Sequence, residues 1–351
     1  MTKRSPLVIG VAFAIIAAVS FGITAPVVAW ASHSAGSLAT ASLLYAGAAV
    51  SAIGARLIAK RSPNSLVRTD ALRVAMIALF GAVLAPTLLV WGLHRTGALT
   101  ASLMLNLEAV FTVLFAYVIQ REAIGSRVWI AVTLMAAGGA ALSLDAATRT
   151  AGGVIGALAV AGATIAWALD NTLTQPLSTR DPLDVVGAKA GLGATSTAIL
   201  AVALHDRWPE TRDTAILLAC GMTGYGLSLR FYILAQRRIG AARTGSVFAL
   251  APFIGALVSW IAGERAIGTW ALASIALFAI GVWLHLTEKH RHAHTHAAVE
   301  HAHLHRHDDH HHLHDHDPPV IGEHSHPHAH EPVTHDHEHH HEHDDHHHEH
   351  R

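Results

Sequence analysis

The sequence predicts an all-α integral membrane protein with ten transmembrane helices in two inverted five-helix repeats, followed by a disordered tail. Three observations support this prediction: long apolar runs through residues 1–289, a weak internal repeat, and an abrupt change of composition at His290. A soluble protein with a large buried helical core is the alternative. Most of the apolar runs, however, lack the polar face that the helices of such a protein carry.

Ten apolar stretches of about 20 residues are separated by short intervals that contain the charges, and a helix of that length spans the hydrocarbon core of a bilayer. The stretches lie at residues 7–31, 36–58, 71–93, 97–119, 127–145, 153–175, 183–204, 214–236, 244–262 and 267–286. The segment Ala29–Ala31 resembles a signal-peptide cleavage site. Because the first stretch is longer than a usual signal core, we expect a retained helix.

Positive charge is distributed unevenly between the two ends of these helices. If the N-terminus is cytoplasmic, fifteen Lys and Arg residues lie near the inner ends and five near the outer ends. Such a bias indicates the orientation of a membrane protein. We therefore expect a multi-pass protein of the bacterial inner (plasma) membrane. Since the number of spans is even, both termini should be cytoplasmic.

The two halves of the apolar region begin to match when the chain is shifted by 143 residues. The segment Arg95–Ala98 (Arg-Thr-Gly-Ala) then aligns with Arg238–Ala241 (Arg-Ile-Gly-Ala). Each half holds five helices, an odd number, so the copies should insert in opposite orientations, as in many secondary transporters. The expected domains are a first repeat at 7–145, a second repeat at 153–286, and a tail at 290–351.

Two pairs of short segments resemble the EamA group of the drug/metabolite transporter superfamily. They are Asn106–Phe111 with Gln120–Glu122 in the first repeat, and Ala249–Phe253 with Gly263–Arg265 in the second. The resemblance covers residues 7–286. The family often has a proline after the glutamate of the fourth helix, where this chain has Ala109, so a kink in that helix is in doubt.

The resemblance implies a secondary transporter of small organic solutes, often directed outward, and not an enzyme. In agreement with this, the sequence lacks the Gly-rich loop with Lys-Ser/Thr that binds phosphates in ATP-driven proteins.

Glu108 is the main candidate for solute binding or proton coupling. It lies near the middle of the fourth stretch. Since a charge in the membrane interior is costly, it should face the bundle interior and be either paired or protonated. A structural ion pair is the alternative interpretation.

The other candidates are Asp170 and Asn171 in the sixth stretch, Arg230 in the eighth, and Asn106, which precedes Glu108 in the motif. Arg230 is the expected counter-ion of Glu108 or Asp170, unless it extends to the interface. Lys189 is expected to be an interface anchor.

The tail contains 27 of the chain's 31 histidines within its last 62 residues, alternating with carboxylates, Ala and Pro. Imidazole is a common ligand of divalent transition metals, so we expect Zn, Ni, Co or Cu to bind there with little selectivity. The expected ligands are His292, His294, His296, His301, His303, His305, His307, His324, His326, His328, His330, His335, His337 and His339.

The expected partners are the lipid bilayer, a small-molecule solute and divalent metal ions. We do not expect binding to nucleic acid, and a homodimer is possible. No cofactor is required. A divalent-metal (Ni, Co or Zn) exporter, or a membrane-tethered metal buffer or sensor without transport, are the alternatives. The apolar region offers little metal-ligating chemistry, because its four histidines lie near the membrane edges and Cys220 is alone.

Overall fold

The structure is a computed structural model, in which residues 1–287 form one compact unit and residues 288–351 a second. The residues that it describes are 6–59, 64–119, 121, 124–149, 151–177, 179–264 and 267–287 in the first unit, and 291–295, 299–305, 324–330 and 334–338 in the second.

In the described part of the chain, ten helices are long and apolar enough to cross a membrane, which confirms the predicted class. They are α1 (Leu7–Ala31), α2 (Ser37–Ile58), α3 (Arg68–Thr96), α4 (Ala98–Val118), α5 (Ser126–Arg149), α6 (Gly153–Leu177), α7 (Pro182–Ala203), α8 (Thr211–Gly240), α9 (Arg243–Ile261) and α10 (Thr269–Leu286). We call the membrane face where α1 begins the N-terminal face, and the other the opposite face.

The helices of the two repeats pack against each other in a symmetric pattern. Symmetry-related contacts join α1 with α8, α2 with α7, α3 with α6, α4 with α9 and α5 with α10. Small residues allow these helices to approach closely. A Cβ atom at Gly92 of α3, for example, would lie 2.6 Å from the backbone oxygen of Gly156 of α6.

Glycines at equivalent positions set the connection between the third and fourth helix of each repeat. Gly97 has φ 82° and ψ 164°, and Gly240 has φ 78° and ψ 165°. A positive φ is unfavourable for residues with a Cβ atom, so glycine is required at both positions. The two glycines are separated by the 143 residues of the repeat shift, which explains why the Arg-x-Gly-Ala match was visible in the sequence.

Two helices contain π-helical segments, again at equivalent positions. In α3, a π segment at Leu79–Leu84 lies between the α-helical segments Ala71–Ala78 and Ala85–Thr96. In α8, a π segment at Gly221–Leu227 lies between Thr211–Cys220 and an α-helical segment that begins at Ser228. Such segments are rare and often occur at functional sites.

In the second unit, the structure describes four short strand segments. Strand β1 (Arg291–Thr295) pairs antiparallel with β4 (Thr334–Glu338), and β2 (Val299–His305) pairs antiparallel with β3 (His324–His330). The alternation of histidine with other residues has the two-residue period of a strand, and backbone pairing needs no apolar core.

Candidate functional site

Glu108 lies where α4 changes from fully buried to partly exposed. All ten residues from Ala98 to Leu107 are buried, whereas Glu108 and most residues after it are partly exposed. The α-helix is interrupted at this point, between Ala98–Met104 and Leu107–Val118. Glu108 is therefore the first partly exposed residue of α4 after a fully buried segment that begins at the opposite face.

The interruption of α4 forms without a proline. The Asn106 side-chain amide donates to the Leu103 carbonyl oxygen at 2.8 Å, and the Glu108 backbone N–H donates to the Leu105 carbonyl at 3.1 Å. This tighter i→i−3 pattern replaces the α-helical one. Asn106 thus shapes the helix just before Glu108, and its buried amide is used within α4 itself.

The partner of Glu108 is Asn171 of α6, whose side-chain amide donates to Glu108 Oε1 at 2.7 Å. The neighbouring Asp170 is only 2% exposed and pairs with Lys189 of α7. The Thr174 hydroxyl donates to the same carboxylate at 3.4 Å. Three of the predicted residues, Glu108, Asp170 and Asn171, are therefore brought together.

Lys189, and not Arg230, is the counter-ion of Asp170. Arg230 is exposed on α8. The expectation that Lys189 is an interface anchor is wrong, because its ammonium group lies against a buried carboxylate. The sequence could not reveal this pair, since Asp170 and Lys189 lie 19 residues apart on different helices.

Aromatic side chains form a connected surface beside Glu108. Tyr225 is linked to Tyr45, with ring centroids 5.4 Å apart, and to Phe21 at 6.0 Å. Phe248 continues the row, 5.5 Å from Phe21 and 5.0 Å from Tyr232. The hydroxyls of the three tyrosines are within electrostatic range of Glu108. Both repeats therefore contribute to the surroundings of this carboxylate.

The opposite face is closed by contacts between the repeats. Both carboxylate oxygens of Glu264, which follows α9, accept from the backbone of α4, one from the Ala98 N–H and one from the Leu99 N–H, each at 2.8 Å. Asp206, which follows α7, accepts from the Leu38 and Ala39 N–H groups of α2 at 2.9 and 3.1 Å.

These carboxylates satisfy backbone donors that a helix N-terminus leaves without partners. Glu264 thereby links the end of α9 to the start of α4 in the other repeat. The Ala251–Ile261 segment of α9 also packs against Ala98–Met104 of α4. These contacts between the repeats thus close the opposite face around the N-terminus of α4.

Within the described residues, no three His, Cys, Asp or Glu side chains come together as a metal site. Of the predicted tail ligands, His296, His307 and His339 lie outside the described residues. The other eleven lie on the four strands, where the structure describes the backbone. Five cross-strand pairs of opposed histidines occur there: His292/His337, His294/His335, His301/His328, His303/His326 and His305/His324.

Comparison with known proteins gives three findings. The EamA-like transporter family matches residues 8–144 and 154–287. An uncharacterized transporter from Methanothermobacter thermautotrophicus is 30% identical over 206 residues, which cover 57% of this chain and 60% of that protein. The chain thus spans less than two thirds of that relative. A protein of known crystal structure shares the fold, with a TM-score of 0.57, 18% identity, and coverage of 81% of this chain and 96% of that one.

Proposed function

Because the chain belongs to the EamA-like transporter family, we propose that it is a secondary transporter that exports a small metabolite or drug-like solute. It is a multi-pass membrane protein, and the bias of Lys and Arg supports a cytoplasmic N-terminal face. We further propose that it resides in the inner membrane of a bacterium. The membership also supports the expectation that it is not an enzyme.

The observation that carries the proposal is the contact between Glu108 and Asn171 at the point where α4 ceases to be buried. A carboxylate in the membrane interior is stable when it is protonated or binds a cationic or hydrogen-bonding group. Glu108 can therefore hold a proton or contact a solute that arrives from the N-terminal face. The alternation between these two occupants would couple export of the solute to entry of a proton.

The aromatic row suggests what kind of solute the site accepts. Phe21, Tyr225, Phe248 and Tyr232 form a row of contacting rings, of which Tyr225 and Tyr232 lie within electrostatic range of Glu108. Such surfaces bind apolar and aromatic groups, while the hydroxyls and the Asn171 amide offer hydrogen bonds. We propose a solute with an apolar body and at least one polar group.

Reconstitution in liposomes that contain a pH-sensitive dye tests this proposal. The probes are tryptamine, phenylalanine and thymidine, which combine an apolar body with different polar groups. We expect at least one of them to cause a pH change with the wild-type protein. Glu108→Gln, which keeps the shape and removes the ionisable group, should abolish that change.

A matched control is Glu210→Gln, because Glu210 is an exposed residue at the start of α8 that makes no capping hydrogen bond. This variant should behave like the wild type. A pH change of wild-type size in Glu108→Gln, or the absence of any pH change in the wild type, would contradict proton exchange at Glu108.

The paired histidines of the tail favour a second function, the binding of divalent Zn, Ni, Co or Cu. Residues directly opposite each other in an antiparallel pair lie on the same face, with Cβ atoms about 5 Å apart. Two imidazoles at such positions can share one ion. Whether the tail then regulates transport, supplies metal to an exporter or only buffers metal is a separate question.

Deletion of residues 290–351 separates these roles. A strain lacking the gene is complemented with the full chain or with residues 1–289, and its growth is measured with added metal and with added solute. If the tail binds metal, purified full-length protein retains several metal ions per chain and the truncated protein retains none. A change in metal tolerance alone, seen only with the tail, would favour the exporter or buffer over the solute transporter.

A further inference from the structure

The π segment of α3 is organised around Gly81. Its carbonyl oxygen accepts a hydrogen bond from the Tyr45 hydroxyl and a second from Trp167 Nε1 at 3.0 Å. A π turn makes such a carbonyl available, because it interrupts the regular i→i−4 bonding of the helix. Side chains of α2 and α6 are thereby anchored to the same backbone atom of α3.

The missing side chain of Gly81 has a second consequence. A Cβ atom there would overlap the Asp170 carboxylate and lie 2.7 Å from Lys189 Nζ. The ion pair therefore occupies the space that a larger residue would fill. In the second repeat the equivalent residue is Gly224, 143 positions later, and the side chain against it is the uncharged Thr24. The charged pair is thus specific to the crossing of α3 with α6.

This pair lies directly behind the proposed transport site. Asp170 precedes Asn171, whose amide holds Glu108 Oε1. Besides Asn171, Asp170 and Lys189 lie within electrostatic range of Glu108, as do the hydroxyls of Tyr45, Tyr225 and Tyr232. Near neutral pH the tyrosines are uncharged, so the balance between Asp170 and Lys189 determines the charge that Glu108 experiences.

We propose that Lys189 is a positioning residue that neutralises Asp170 against the α3 π segment, fixes the Asn171–Glu108 contact and sets the pH at which Glu108 exchanges its proton. The inference rests on the proposed proton exchange at Glu108. A buried ion pair that loses one partner leaves an uncompensated charge. In the absence of Lys189, that charge is negative and adjoins the coupling carboxylate.

The sign of the effect follows from the charge that remains. Lys189→Met leaves Asp170 negative, which favours protonated Glu108, so its proton should be lost at a higher pH than in the wild type. Asp170→Asn leaves Lys189 positive, so the proton should be lost at a lower pH. The double variant has neither charge and should return close to the wild-type midpoint. Shifts of about one pH unit are typical of a single nearby charge.

Infrared titration of the full-length protein in lipid measures this midpoint directly, without a known solute. The carboxyl C=O band that disappears in Glu108→Gln reports Glu108. We expect opposite shifts of this band in the two single variants and a recovered midpoint in the double variant. Lys189→Arg, which keeps the charge, and Arg207→Met, which removes an exposed loop cation, should leave it unchanged.

The outcomes separate the two proposals. If no titrating band disappears in Glu108→Gln, proton exchange at Glu108 is wrong. If the band is present but is not shifted by Lys189→Met or Asp170→Asn, or not recovered in the double variant, the positioning role is wrong while proton exchange stands. Should Lys189→Met fail to fold, Asp170→Asn and the double variant still provide the comparison.

Discussion

Gly81→Ala adds one methyl group at the point where α3, the Asp170–Lys189 pair and Trp167 meet. Because the space beside Gly81 is filled by the Asp170 carboxylate, the pair or the helix must move. Forcing an extra methyl group into a packed interior costs about 1–3 kcal/mol. Replacing a helical glycine by alanine otherwise gains up to about 1 kcal/mol. The substitution should therefore destabilise the protein although it improves helix propensity.

The matched control is Gly191→Ala in α7, where an added Cβ atom would have no other atom within 4 Å. This variant should be neutral or slightly stabilised. Because the propensity gain is common to both variants, we expect them to differ by about 1–3 kcal/mol. At about 2 °C per kcal/mol for a chain of this size, this is roughly 2–6 °C in melting temperature. Thermal unfolding in detergent micelles measures the difference. If Gly81→Ala melts at the temperature of Gly191→Ala, the close packing of the ion pair on Gly81 is refuted.

Two further substitutions test the ends of the bundle. Asp206→Ala removes the acceptor for the first backbone donors of α2 and should lower the free energy of unfolding by about 1 kcal/mol. The control is Glu210→Ala, because the Glu210 side chain caps no helix, and it should leave the free energy of unfolding unchanged in the same assay. Glu264→Ala removes the acceptor for the first backbone donors of α4. A cysteine introduced in place of Ser102, in a Cys220→Ser background, should then be labelled faster by a reagent added at the opposite face. Unchanged labelling would show that Glu264 does not hold that face closed.

The general fold could be predicted from the sequence because it depends on features that are local along the chain. Apolar length is sufficient to place the ten helices, and Gly97 and Gly240 mark equivalent joints because only glycine adopts their backbone conformation readily. Glu108 could be selected as a functional residue because a carboxylate in the middle of an apolar span has few structural explanations.

The features that could not be predicted depend on contacts between helices. Arg230 was expected either to extend to the interface or to pair with Glu108 or Asp170, whereas the partner of Asp170 is Lys189 of α7. The break in α4 was in doubt without a proline, but the Asn106 side chain bonds back to Leu103 and supports it. The π segments have no recognisable sequence pattern, because they arise from a shift of backbone hydrogen bonds that tertiary packing stabilises.

The buried segment Ala98–Leu107 also determines where the membrane voltage falls within the protein. Ten helical residues span about 15 Å, half of the hydrocarbon thickness. This buried segment separates Glu108 from the opposite face. If Glu108 exchanges its proton with the solution at the N-terminal face, as proposed, most of the membrane voltage falls across this segment and little of it between Glu108 and that solution. Binding of the proton then costs almost no electrical work, and the roughly 2.3 kcal/mol per charge at 100 mV is exchanged when the helices rearrange.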